Sequence, residues 1–191
     1  NKVEYSFWFD TETEKLSLAF FRRGTHGKIA VEHTSLASPA ITELSQQILA
    51  VLNELEVGGR VLKTLLIRSN RAGETAWQLY VKEDSLDVEL LVSKLGDLAQ
   101  NGEIIYSNPK SPASVITKRL YAGEHIVLED TILNVPFRYA TEGFFQINLP
   151  VYEQALKDMQ QWITPDKPVV DLYSGVGTIG LTIGGDSVTL V

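Results

Sequence analysis

The sequence contains no cysteine. That excludes disulfides, a cysteine-type zinc site, a cysteine-held iron–sulfur cluster and a thiol nucleophile within these residues. No stretch approaches ~18 apolar residues without a charge, so no membrane-spanning helix is expected. The opening residues, NKVEYSFWFD, lack the basic-then-apolar order of a secretory signal, which leaves the cytoplasm as the expected compartment. An excess of positive charge is lacking too. Lys+Arg number 17 against 24 Asp+Glu, a net charge of −7, whereas nucleic-acid binders usually carry a basic footprint. What is present is 44% hydrophobic and 21% charged residues over 191 positions. That composition supports a folded chain of one ordinary domain or two small ones.

The net charge hides a pattern. Residues 141–191 hold Glu142, Glu153, Asp158, Asp166, Asp171 and Asp186 against Lys157 and Lys167, and so carry −4 of the −7. The preceding 140 residues carry −3 and are basic in places. Arg22, Arg23, His26 and Lys28 lie within one short stretch. Arg60, Lys63, Arg68 and Arg71 occur with no acid between Val57 and Gly73, and Lys110, Lys118 and Arg119 with none between Ile104 and Gly123. Solvated loop and strand charge explains such clusters equally well. As an RNA-contacting set, the candidates are Arg60, Lys63, Arg68, Arg71, Lys118 and Arg119.

Hydrophobic periodicity divides the chain near Thr141. Residues 1–140 read as an α+β layer of antiparallel strands with two helices. A hairpin is expected around Asp10–Glu14, a strand at Lys28–His33 and a second hairpin around Asn70–Gly73. Ser38-Pro39 starts a helix whose apolar residues at 41, 44, 48, 51, 52 and 55 share a face up to Gly58-Gly59. A further helix is expected over Asp87–Leu98. Short strands at Glu103–Ser107, Val115–Leu120, Ile126–Leu128 and Pro136–Tyr139 complete this part. Residues 141–191 change character: a helix over Val151–Ile163, an apolar strand at Pro168–Tyr173, a glycine-rich turn, a second helix and a strand at Ser187–Val191. That is a βαβ unit, the opening of a doubly wound sheet.

The turn reads Asp171-Leu-Tyr-Ser-Gly175-Val-Gly177-Thr-Ile-Gly180. G-x-G-x-x-G directly after a strand serves close approach: a tight turn, a backbone on which a cofactor can lie, and close helix–strand packing. Glycines in any strand-to-helix turn look similar, so the motif alone leaves the ligand open. A dinucleotide would set its pyrophosphate on the helix N-terminus. The carboxylate of Asp171 at the strand end suits instead a cationic cofactor bearing an amino group, such as S-adenosylmethionine, although a turn-capping aspartate looks the same in sequence.

F-F-Q-I-N at 144–148, followed by a helix and then D-L-Y-S-G-V-G-T-I-G-L at 171–181, resembles the RNA (uracil-5-)-methyltransferase family, which acts on tRNA and 23S rRNA. N-K-V-E-Y-S-F at the start and V-E-H-x-x-L at 31–36 resemble the central domain of the same family. The resemblance implies a central strand-rich domain over 1–140. Over 141–191 it implies the N-terminal, incomplete part of a Rossmann-like class I methyltransferase domain. It also implies S-adenosylmethionine as cofactor, RNA as partner and methyl transfer to uridine C5. Gln146, Asp171, Tyr173, Gly175, Gly177 and Thr178 match cofactor-contacting positions. From the residues alone, Phe144 and Phe145 read as core aromatics, with Gln146 satisfied by nearby backbone and Tyr173 as a strand-end core residue.

The sequence also departs from the family pattern. Ser174 stands where the glycine loop usually has cysteine. Thr34 stands at the last of the positions that hold an iron–sulfur cluster in many members, so no cluster is expected. The family's chemistry adds a cysteine thiolate to uracil C6 and uses a base to remove the C5 proton. Neither group is expected in these residues, so no catalytic residue is assigned, cofactor binding is expected to be weak and the chain alone is expected to be inactive. The acid that would hold the ribose hydroxyls falls about 20 residues past the strand end, at Val191 or beyond. Two other readings stand beside this one: an RNA-binding or scaffolding module without catalysis, and an NAD-type oxidoreductase fragment.

Overall fold

Alternating apolar residues in Val3-Glu4-Tyr5-Ser6-Phe7 and in Leu16-Ser17-Leu18 give strands with one greasy face, and that face decides the first half of the fold. A computed structural model describes residues 1–112 and 114–191. It forms two compact units, Asn1–Ile126 and Val127–Val191.

The first unit is built on β1 (Lys2–Asp10), β2 (Lys15–Phe21), β3 (Lys28–Ala30), β4 (Leu62–Ser69), β5 (Thr75–Val81), β6 (Gly102–Tyr106) and β7 (Lys118–Ala122). They form one seven-stranded sheet in the order β3-β2-β1-β4-β5-β6-β7. Every neighbouring pair is antiparallel except β5–β6, which is parallel. The wholly antiparallel layer expected from the sequence is corrected on that point, because a helix connects β5 to β6 and returns the chain to the same end of the sheet.

Two helices cover one face. In α1 (Pro39–Glu54), Ser38 caps by accepting the Ile41 N–H, Pro39 fills the first turn, and Ile41, Leu44, Ile48 and Leu52 are buried. They pack with Tyr5, Leu18, Leu65, Ile67, Trp77 and Leu79 from the sheet. Each such side chain contributes about 1.5–3 kcal/mol of burial free energy. The helix stops at Glu54, short of Gly58-Gly59, and it is Glu56 that takes the left-handed conformation (φ 51°). In α2 (Val88–Leu95), Asp87 caps by accepting the Leu90 N–H at 3.0 Å. This helix also ends earlier than expected: Gly96 turns left-handed (φ 56°), and the chain tightens into a 3-10 turn over Gly96–Asn101.

The opposite face of the sheet carries a polar network across β5, β6 and β7. The Gln78 amide donates to Glu103 at 2.5 Å, Tyr80 OH donates to Gln78 at 2.8 Å, and Arg119 Nε meets Glu103 at 2.7 Å. Part of the 107–117 connection lies on this side, where Ile116 packs against Leu66, Tyr80 and Ile105. β7 begins at Lys118 and not at Val115, the expected start.

The second unit opens with a hairpin, β8 (Val127–Ile132) and β9 (Val135–Ala140), turning through Leu133 and Asn134, both left-handed. It continues with α3 (Leu149–Gln160), β10 (Val169–Asp171), α4 (Thr178–Ile183) and β11 (Val188–Leu190). β10 and β11 pair in parallel, so the βαβ unit is present in the expected order. The hairpin is grouped with this compact unit, which begins at Val127, so residues 127–140 of the expected first domain lie in it. The cause is aromatic: the Phe145 ring stacks on Tyr139 of β9 with centroids 3.9 Å apart, and Leu133 N–H donates to Glu153 of α3. Such a ring pair adds about 0.5–1.5 kcal/mol to its burial. Among the described residues, no helix is long and apolar enough to cross a membrane.

Candidate cofactor cleft

Within the second unit, the segment after β9 and the turn after β10 face a common cleft of about 550 Å³. Residues 143–146 form one wall and 171–179 the other. All six residues singled out by motif lie in these segments, and five of them line the cleft: Gln146, Asp171, Tyr173, Gly175 and Thr178. Gly177 sits just behind, with φ 77°.

The glycines show why the spacing is needed. Gly175 has φ 57°, a conformation that side chains resist, and a Cβ there would point into open space. Gly180 is required for room. A Cβ on it would lie 2.5 Å from Leu190 Cδ2 and 2.8 Å from Val188 Cγ2, so its absence lets α4 press against β11. Asp171 is buried, and its Oδ2 accepts the Gly180 N–H at 2.9 Å. One carboxylate oxygen therefore ties strand to helix, which is the capping role, while the residue still lines the cleft.

The aromatic pair separates. Phe145 is core, as expected, but Phe144 is 81% exposed and lines the cleft. Tyr173 is 99% exposed in a left-handed conformation (φ 59°), so it is not the strand-end core residue that the sequence also allowed. A non-glycine residue held there costs of order 1–3 kcal/mol, and such outliers gather at ligand sites. Among the other residues that line the cleft are Tyr152, whose OH lies 2.7 Å from Thr178 Oγ1, and Arg138, paired with Glu129 at 2.9 Å. The only signal for Tyr152 is its place in the first turn of α3, which follows F-F-Q-I-N directly.

The lining suits a cofactor that is polar at one end and carries a flat, partly apolar body. Gly175 leaves the backbone bare, the Gln146 amide offers both a donor and an acceptor, and Phe144 and Tyr173 offer flat apolar faces.

The six basic candidates in the first unit fare differently. Arg68 is only 3% exposed, on the sheet face shared with Leu66. The Lys63 ammonium is turned inward onto Ser107 Oγ, Ser111 Oγ and the carbonyls of Asn108, Ser111 and Pro112, all within 3.1 Å. Burial holds its pKa below the usual lysine value, with Lys82 adding to the effect. A β-bulge between Leu62 and Thr64 aims it there, and no sequence signal marks that bulge. Arg60, Arg71, Lys118 and Arg119 remain on the surface, Arg119 bonded to Glu103. The six thus make no single exposed patch.

No protein-family model matches the chain. It is similar to curated proteins named as uncharacterized RNA methyltransferases. One, from Enterococcus faecalis, is 26% identical over 194 residues, covering 91% of this chain and 41% of the relative. Another, from Fusobacterium nucleatum, is 26% identical over 192 residues, covering 92% and 41%. The chain thus spans about two fifths of the length of these relatives. Among solved structures, it shares its fold with the tRNA (uracil-54, C5)-methyltransferase of Pyrococcus abyssi, determined in complex with S-adenosyl-L-homocysteine. The TM-score is 0.68 at 16% identity, over 94% of this chain and 44% of that one. The resemblance to RNA methyltransferases carried by the motifs is borne out by these relatives.

Proposed function

We propose that this chain serves an S-adenosylmethionine-dependent RNA methyltransferase acting on C5 of uridine in tRNA or rRNA, and that the cleft of the second unit holds the cofactor. One observation carries the reading: F-F-Q-I-N and D-L-Y-S-G-V-G-T, separate in sequence, meet on the two walls of one cleft. The similarity to RNA methyltransferases, and the fold shared with a protein that binds S-adenosylhomocysteine, support it.

When bound, the cofactor supplies an electrophilic methyl group. The residues here bind and orient. The Gln146 amide would meet the polar end of the cofactor, the Gly175 backbone would admit it, and Phe144 and Tyr173 would flank it, all from the lining of the cleft. The Tyr152–Thr178 contact ties α3 to the start of α4. With no cysteine in the sequence, the thiolate that would activate uracil C6 is not supplied by these residues. The chain alone therefore binds without turning over.

Titration calorimetry with S-adenosylhomocysteine and with NAD tests the reading. It requires saturable binding of the first and none of the second. Binding of NAD alone would transfer the cleft to the oxidoreductase reading, and methyl transfer to unmodified RNA by this chain would overturn its predicted inactivity.

A further inference from the structure

The β2–β3 connection in the first unit carries a basic cluster apart from the cofactor cleft. From Lys15 to Val31 the sequence holds Lys15, Arg22, Arg23 and Lys28 and no acid. The loop is ordered by its own bonds: Arg22 N–H donates to Gly27 O at 2.8 Å, Thr25 N–H to Arg22 O at 3.1 Å, and Gly27 N–H to Thr25 Oγ1 at 3.1 Å. Arg22, Arg23 and His26 all stand exposed on it. At its base Phe21 pairs with Lys28 across the strands and is 59% exposed. The Lys28 ammonium donates to Phe7 O at 2.8 Å and lies 5.1 Å from the Phe21 ring centroid. One face of the ring is thereby fixed by a cation that is itself anchored, and the ring is held in orientation before any ligand arrives.

We propose that this hairpin tip is a single-stranded RNA contact, with Phe21 as the stacking platform for an unpaired base and Arg22 and Arg23 as the phosphate partners. The chemistry matches that ligand. A pre-oriented aromatic ring takes any base by its flat face, and flanking guanidiniums neutralise backbone phosphates. The inference rests on the RNA-substrate reading and adds a contact outside the six basic positions expected from the sequence. Lys28 is a positioning residue, holding the ring and not the RNA.

The test uses the 191-residue chain and a short labelled, uridine-rich single-stranded RNA, read by fluorescence anisotropy across a salt series. Phe21→Ala is expected to weaken binding about tenfold, with Phe21→Trp restoring it. Arg22→Gln combined with Arg23→Gln is expected to flatten the slope of log affinity against log salt by roughly 1.4, at about 0.7 per phosphate contact. These positions are exposed, so unchanged thermal melting accompanies the effect. Unchanged affinity and slope in these variants would overturn the proposal. So would binding to duplex RNA with no dependence on Phe21, or displacement of the RNA by polyglutamate at equal charge concentration, which would point to an acidic protein. The calorimetric titration separates the two readings. Cofactor binding without an RNA effect removes the hairpin contact alone, and a Phe21-dependent RNA effect without cofactor binding removes the cleft reading alone.

Discussion

The two units solve different problems with the same chain. In the first, the helices α1 and α2 close the apolar face of a seven-stranded sheet, and Trp77, Leu79 and Ile67 are wholly buried. In the second, β10 and β11 are three residues each, Val170 and Val191 stand exposed, and Leu172 lines the cleft. Packing density and ligand access trade against each other. A closed core stabilises and leaves little room for a ligand, while a binding turn needs bare backbone and left-handed residues.

Substitutions can break that contrast. Trp77→Ala carries the largest expected effect. It empties the centre of the first core and removes the indole N–H donated to Leu98 O at 2.8 Å, at a cost of about 3–5 kcal/mol. Urea unfolding of the first unit should shift accordingly, and a shift under ~1 kcal/mol would show that the core relaxes around the loss. Gly180→Val comes next, because its side chain meets Leu190 and Val188. Overpacking of this kind costs about 1–3 kcal/mol. Hydrogen exchange should accelerate in residues 127–191 and stay unchanged in the first sheet. Acceleration throughout the chain would show that the effect of the overpacking is not confined to the second unit. Gln146→Ala is the smallest. It should leave thermal melting unchanged and weaken cofactor binding about fivefold, the loss of one ordinary hydrogen bond. An unaffected affinity in calorimetry would remove Gln146 from the site.

Much of this contrast was legible in the sequence. Ser38-Pro39 and the apolar residues at 41, 44, 48 and 52 specify α1, because caps and helical periodicity are local. The order of strand, glycine turn, helix and strand in 169–190 follows from the same kind of local signal. What escaped was tertiary. The hairpin of β8 and β9 is assigned to the second unit by a ring stack between Tyr139 and Phe145, and nothing in either segment names the partner. Lys63 looked like a surface cation, but a bulge turns it onto a cage of carbonyls. Arg68 looked the same and is buried on a sheet face. Charge in a sequence says that a cation exists, not which way it points. The basic residues that do stand free on an ordered support, Arg22 and Arg23, belong to a cluster that composition alone did not rank above the others.

The central claim is that one cleft in residues 127–191 holds S-adenosylmethionine between the two motif segments. Backbone amide NMR of the labelled chain, titrated with S-adenosylhomocysteine, tests it most directly. The predicted result is saturable shifts concentrated at 143–146 and 171–179, with residues 1–126 unmoved. Shifts absent from both segments at saturating ligand, or centred on the first unit, would contradict it.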